Sequence, residues 1–149
     1  MRKQQRWNNL ISFFMLGGLV ISSLSIFGVE VEKMKIKILL GEDEILISLN
    51  DNPSSRSLYE QLPLSVKVED YASNEKIFHP PRELSTLDAP VGYEPKVGDV
   101  TLYAPWGNVA IFYKNFSYSK GLIKLGEVTS GVELLSKLNN QVVKVKKAQ

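Results

Sequence analysis

The sequence predicts a mainly β domain: a closed β-barrel of short strands capped by two short helices and preceded by an N-terminal hydrophobic helix. Three observations support this prediction. Apolar and polar residues alternate in short runs after residue 33, two segments with helix-start signals interrupt those runs, and a long uncharged segment precedes them. Alternation with period two is typical of half-buried strands, and closure of many short strands removes exposed edges. We therefore predict a leader over residues 1–31 and one domain over residues 33–149.

The leader has the charge pattern of a signal peptide or a membrane anchor. Three basic residues precede an uncharged run over residues 7–29, and two acidic residues follow it. As a helix, residues 10–29 would span about 30 Å, the thickness of a bilayer's hydrocarbon core. A retained anchor and a signal peptide cleaved after Ser25 both fit this pattern. The basic flank predicts a cytoplasmic N-terminus, with residues 33–149 outside the membrane in the cell envelope, or secreted after cleavage.

The composition excludes several classes of function. Three of the 18 basic residues and none of the 16 acidic ones lie in residues 1–28, so the remainder is almost neutral. Such a domain lacks the basic stripe that nucleic acid requires, and we expect no nucleic-acid partner. The absence of cysteine excludes a disulfide, a thiolate nucleophile and cysteine-ligated zinc, and a single histidine excludes a multi-histidine metal site. We expect no cofactor and no metal.

Seven apolar or alternating runs predict the strands. Each run places its apolar side chains on one face, as a period of two requires. The runs are defined by Met34, Ile36 and Ile38; Ile45, Ile47 and Leu49; Leu64, Val66 and Val68; Val100 and Leu102; Val109, Ile111 and Tyr113; residues 122–125; and Val143 and Val145. A polar turn at residues 41–44 joins the first two runs into a hairpin.

The first predicted helix follows the second run. Asn52 can cap this helix, and Pro53 suits its first position because proline lacks the N–H that would be unpaired there. Leu58 and Leu62 lie four residues apart on one face, and Pro63 ends the helix. The helix would therefore cover one open end of the barrel.

The second predicted helix precedes the last run. Ser130 and Glu133 have the spacing of a capping box, which predicts the helix start. Val132, Leu135 and Leu138 recur at helical spacing, so we expect all three to point inward. This helix would cover the other opening of the barrel.

A long segment without clear periodicity, residues 74–96, separates the third and fourth runs. It contains four prolines, which argues for a functional or mobile loop. The single histidine, His79, lies in it and is either a solvated loop residue or a ligand contact.

Polar and aromatic residues near strand ends are the candidate site. Two interpretations stay open for Tyr71 and its polar neighbours: a side-chain-braced turn, or the mouth of a ligand site. Core packing and a binding surface are likewise both open for the aromatic residues of the fourth and fifth runs, because alternation turns Tyr103 and Phe112 away from the barrel core. The candidate ligand-binding residues are Tyr71, Asn74, Glu75, Arg82, Tyr103, Trp106, Asn108 and Phe112. We predict no catalytic residue.

Six motifs in order resemble those of the bacterial cyclophilin-like domain family. They are Asp51-Asn52-Pro53; Gln61-Leu62-Pro63-Leu64; Asp70-Tyr71 with Asn74-Glu75-Lys76; Gly98-Asp99-Val100 to Tyr103; Trp106-Gly107-Asn108 with Phe112-Tyr113-Lys114; and Gly121-Leu122-Ile123-Lys124-Leu125-Gly126. The resemblance covers about residues 35–146. It implies a cyclophilin-like barrel of eight strands closed by two helices, in agreement with the periodicity.

The resemblance does not imply prolyl isomerase activity. Cyclophilins use an arginine soon after a Phe-His pair to hydrogen-bond the substrate, beside an apolar pocket for the proline ring. The nearest match here is Phe78-His79-Pro80-Pro81-Arg82, in which two prolines displace the arginine. We therefore expect a non-catalytic binding module for a peptide, small molecule or protein partner. The alternative is an isomerase-like enzyme with an altered site that uses Arg82 near Phe78.

Overall fold

The alternating runs of the sequence fold as strands. The structure, a computed structural model, describes residues 33–149, so the predicted leader and its hydrophobic helix lie outside the described range. The strands are β1 (Lys35–Leu40), β2 (Asp43–Leu49), β3 (Leu64–Tyr71), β4 (Glu75–Phe78), β5 (Gly92–Tyr93), β6 (Asp99–Tyr103), β7 (Asn108–Phe112), β8 (Ser119–Lys120), β9 (Leu122–Ser130) and β10 (Gln141–Lys147). The helical segments are α1 (Pro53–Tyr59) and a 3₁₀ helix (Val132–Lys137). Within residues 33–149, no helix is long and apolar enough to cross a membrane.

Eight of these strands close into an antiparallel barrel. Their order around the barrel is β1, β10, β3, β4, β7, β6, β9 and β2, with β2 hydrogen-bonded back to β1. Alternate residues fill the interior, as the period of two predicts, and the apolar residues that define the seven runs supply most of the core. The two remaining strands, β5 and β8, pair with each other as a small separate sheet.

Helix α1 is capped and packed as the sequence predicts. The Asn52 side chain accepts a hydrogen bond from the backbone N–H of Ser55 at 2.8 Å, and Pro53 occupies the first turn. The buried Ser55 hydroxyl donates to the carbonyl oxygen of Leu125, which attaches the helix to β9. Leu58 is fully buried, and Leu62 is buried just beyond the helix end. Helix α1 therefore contributes to the same core as the barrel strands.

The second helix differs from the prediction at its start. It is a 3₁₀ helix, and its N-cap is Gly131 at φ +84°, with no side-chain capping bond from Ser130. Leu135 and Leu138 are completely buried as predicted, but Val132 is 39% exposed. The inward orientation predicted for Val132 was wrong: Val132 is the first residue of the helix, directly after Gly131 in the left-handed region, and only the later turns pack on the core.

The predicted long loop contains two strands. Residues 75–78 form β4, a full member of the barrel between β3 and β7, and residues 92–93 form β5. Both faces of β4 are covered, since Lys76, Ile77 and Phe78 are all buried. The sequence of β4 therefore shows no alternation of apolar and polar residues, because Lys76 occupies an inner position and Ile77 an outer one. The irregular part of the segment is confined to the residues between β4 and β5 and those after β5.

Candidate functional site

A second apolar cluster lies on the outer face of the barrel wall. Its members belong to β4, β7 and β9, at positions that alternate with the interior residues of those strands. They are Ile77, Ala110, Phe112 and Leu122, with Tyr93 and Tyr103 packed against them. Apolar burial on the outside of a barrel requires a cover, and the β5–β8 sheet and its flanking loops provide part of it. The uncovered part forms a cleft.

This outer cleft has a volume of about 490 Å³. It is lined by residues from the β3–β4 turn, from β6 and the turn after it, and from the segment between β7 and β9. They are Tyr71, Ala72, Asn74, Glu75, Tyr103, Trp106, Phe112, Phe116, Ser119, Lys120 and Leu122. The size is that of ligand sites, which are mostly apolar with a few polar groups. Six of the eight candidate residues from the sequence line this one cleft.

Trp106 is the centre of the aromatic wall. Its ring meets the ring of Tyr71 at a centroid distance of 5.4 Å and an interplanar angle of 85°. It meets the ring of Tyr103 at 5.2 Å and 80°. Trp106 remains 54% exposed and Tyr71 42% exposed. Deeper in the cleft, the exposed Phe116 stacks on the buried Phe112 at 6.4 Å. The aromatic residues therefore combine core packing with an open surface.

Glu75 is the acidic residue of the cleft. It is half-buried, and within residues 33–149 it forms no salt bridge. Burial raises the pKa of its carboxyl group, because a buried carboxylate loses the hydration that stabilises its charge. On β4, Glu75 pairs with Tyr71 on one side and with Phe112 on the other. Its backbone position is thus fixed between two aromatic residues of the cleft.

A charged network braces the turn that carries Tyr71. Asp70 accepts hydrogen bonds from the Lys76 ammonium at 2.7 Å, from the Tyr113 hydroxyl at 2.8 Å and from the backbone N–H of Ser73 at 3.1 Å. The bond from Lys76 lowers the pKa of Asp70, and burial together with Asp70 raises the pKa of Tyr113 to about 12. Ser73 and its neighbour Ala72 have φ near +50°, which non-glycine residues rarely adopt, so the network stabilises a strained turn.

A second network connects β5 to the barrel strands β6 and β9. Asp99, only 4% exposed, accepts from the Tyr93 hydroxyl at 2.7 Å and from the backbone N–H of Lys96 at 2.8 Å, and it pairs with Lys124 at 3.0 Å. Burial and Asp99 raise the pKa of Tyr93. Burial alone would lower the pKa of Lys124, but Asp99 outweighs it and the pKa is raised. Tyr93 belongs to β5, whose partner β8 carries two cleft residues.

Two candidate residues lie away from the cleft lining. Arg82 is exposed, and its backbone exchanges two hydrogen bonds with the Gln61 side chain beyond α1. Asn108 is 1% exposed, and its Oδ1 has no hydrogen-bond partner in the described part of the chain. Of the two residues in the isomerase hypothesis, Phe78 packs in the barrel core and Arg82 is exposed. His79 is exposed beside Phe78.

Five lining residues were not among the candidates. They are Ala72, Phe116, Ser119, Lys120 and Leu122. Phe116 carried a usable signal, since it and Tyr118 are aromatic residues in the short polar segment between β7 and β8. Leu122 gave none, because alternation alone cannot tell which face of a strand is covered by a distant loop.

Comparisons with known proteins agree with this architecture. The cyclophilin-like family matches residues 38–146. The solution structure of the hypothetical protein AF2241 from Archaeoglobus fulgidus is similar, with a TM-score of 0.59 and 15% sequence identity over 78% of this chain and 95% of that one. No curated protein matches the chain. The low identity to the solved structure indicates a shared fold only, whereas the family match extends over most of the barrel. The chain belongs to the cyclophilin-like family.

Proposed function

We propose that residues 33–149 form a non-catalytic binding module whose ligand site is the outer cleft. The observation that carries this proposal is the convergence of five aromatic side chains and Glu75 from distant parts of the chain on one cleft. The other polar side chains that line the cleft are an amide, a hydroxyl and an exposed ammonium. None of them forms the hydrogen-bonded nucleophile and base that covalent catalysis requires. The ligand is a small molecule, or a segment of a peptide or protein partner.

Ligand binding should be centred on Trp106. In a screen of soluble aromatic compounds and short peptides, including proline-containing ones, we expect chemical-shift changes at Tyr71, Glu75, Trp106 and Phe112. Trp106→Ala should weaken binding about tenfold, because a desolvated aromatic contact contributes roughly 1–2 kcal/mol. Val142→Ala is the control, since Val142 is 71% exposed and lies on β10, which contributes no residue to the cleft. Shift changes centred elsewhere, or none with any compound, would contradict the proposal.

We further propose that the leader places this module in the cell envelope. The support is the uncharged run over residues 7–29 and the basic residues before it. In spheroplasts of cells that make the full chain, we expect external protease to digest residues 33–149 while the cytoplasmic membrane is still intact. The mass of the mature chain distinguishes a retained anchor from cleavage after Ser25. Recovery of the intact chain in the cytosol would contradict this placement.

A further inference from the structure

The outer cleft combines aromatic ring faces with a carboxylate, Glu75, that forms no salt bridge with any residue of the described range 33–149. We propose that it binds an alkylammonium cation, with the positive charge beside Glu75 and against the faces of Tyr71 and Trp106. This inference rests on the proposed binding function and specifies its ligand class. A free methylated amine and the methylated lysine side chain of a peptide present the same ammonium headgroup. Either of them could therefore be the ligand that supplies the cation.

The ring geometry of Trp106 suits a cation. Two rings that meet edge to face leave a corner, and a group in that corner contacts a face of each ring. Trp106 makes such a junction with Tyr71 and another with Tyr103, at 85° and 80°. The faces of aromatic rings are electron-rich, and a cation within about 6 Å of the ring centroid is attracted to them, most strongly over tryptophan. The large exposed fractions of Trp106 and Tyr71 leave these faces accessible.

The charges of the neighbouring networks set Glu75 apart. The two other carboxylates that stabilise the cleft walls each have an ammonium partner: Asp70 has Lys76, and Asp99 has Lys124. Glu75 has none within residues 33–149, although it is half-buried. A partly desolvated carboxylate interacts more strongly with a charge of opposite sign than one in bulk water does. A cationic ligand would therefore supply the partner that the described chain does not.

Among the described residues that line the cleft, Lys120 is the one with a basic side chain. It lies on β8, outside the barrel sheet that carries Glu75, and it is exposed, so its ammonium is solvated. A solvated lysine exerts a screened and weak repulsion on a bound cation. Of the residues that form the aromatic junctions and the acidic group, Tyr71 and Glu75 lie at the β3–β4 end of the cleft, where the nearby Lys76 ammonium is already paired with Asp70.

The test compares a cation with its neutral isostere on the full chain. The chain has two tryptophans, so a Trp7→Phe background makes Trp106 the sole tryptophan reporter. Choline and 3,3-dimethylbutan-1-ol have the same shape but differ in charge. From Trp106 fluorescence titrations we expect choline to bind at least about tenfold more tightly. A pentapeptide with trimethyllysine is titrated alongside the unmodified peptide. Tighter binding of the trimethyllysine peptide than of choline would identify a peptide side chain as the preferred ligand.

Variants assign the charge effect to Glu75. Glu75→Gln keeps the shape and should reduce choline affinity about tenfold, whereas Glu42→Gln, which removes an exposed charge outside the cleft, should not change it. Equal binding of the isostere, or unchanged choline binding by Glu75→Gln, would overturn this inference and leave the binding function intact. Absence of any fluorescence response to choline and to the trimethyllysine peptide would also overturn the inference of a cationic ligand. The proposed binding function would be contradicted only by the screen of aromatic compounds and peptides described above.

Discussion

Replacing Asp99 with alanine is expected to lower the free energy of unfolding by about 3 kcal/mol, because it removes a buried acceptor shared by three donors. The Tyr93 hydroxyl and the backbone N–H of Lys96 lose their acceptor, and the Lys124 ammonium loses the closer of its two carboxylate partners. Urea unfolding should show a lower midpoint with an unchanged slope. Asp99→Asn should reduce the free energy of unfolding less, since an amide oxygen at the position of Oδ2 still accepts from the Tyr93 hydroxyl and the backbone N–H of Lys96.

The matched control for Asp99 uses the same lysine. Glu127 also contacts Lys124, at 3.4 Å, but its side chain is 61% exposed. Glu127→Ala should therefore change the free energy of unfolding by less than about 0.5 kcal/mol. Faster amide hydrogen exchange in β5 and β8 of the Asp99→Ala variant would show that the cleft wall loosens with the network. Equal urea midpoints for the two variants would refute the assigned role of Asp99.

Replacing Asp70 with alanine is expected to lower the free energy of unfolding by about 2 kcal/mol. Lys76 points to the inner face of the barrel with its side chain only 6% exposed, so its ammonium would be left buried without a carboxylate. The value lies below the range for fully buried pairs because the Asp70 side chain is 30% exposed. The exposed pair of Lys67 and Glu69 gives the control, and Glu69→Ala should have almost no effect.

Replacing Lys76, the partner of Asp70, should destabilise the fold less than replacing Asp70 does. Lys76→Met replaces the buried ammonium with an apolar side chain of similar length, and Asp70 keeps its bonds from Tyr113 and Ser73. We expect a loss below about 1 kcal/mol, because an unpaired buried charge costs more than a lost pair. Thermal unfolding of both single variants and the double variant tests this order. A larger loss for Lys76→Met than for Asp70→Ala would contradict it.

The Asp70 network also predicts a dependence of stability on pH. Because the hydrogen bond from Lys76 lowers the pKa of Asp70 in the folded state below its ordinary value of 3.8, the unfolded chain takes up the proton first as pH falls. The stabilising contribution is therefore complete well above the unfolded pKa and disappears as pH falls through the folded pKa. Between about pH 5 and pH 2, Asp70→Asn should lose less stability than the unmodified chain. Parallel plots of the free energy of unfolding against pH for the variant and the unmodified chain would contradict this prediction.

Local patterns predicted the barrel because each one depends on neighbouring residues. The runs at Ile36 and Ile38, or at Val66 and Val68, alternate cleanly since one face is buried and the other is wet. Asn52 and Pro53 start α1 for equally local reasons. Strand β4 was missed because both of its faces are covered, one by the core and the other by a distant loop, and this double burial hides the period.

The residues of the candidate site likewise fall into those that local patterns predicted and those that depend on distant segments of the chain. Alternation showed that Tyr103 and Phe112 turn away from the core, and turn chemistry pointed to the residues around Tyr71. The sequence could not show that Arg82 lies outside the cleft or that Phe116 and Leu122 belong to it. Those positions depend on how the segment after β7 folds back over the outer wall, which no local pattern records.

The sequence by itself determined the strand faces, the cap of α1 and the near-neutral charge of the domain, because each follows from residue types at short spacing. Only the tertiary structure decided which residues share the outer cleft. It did so because barrel closure brings β3, β4, β6, β7 and β9 side by side across long stretches of chain. The pairing of Asp70 with the buried Lys76 and of the buried Asp99 with Lys124 follows from that closure.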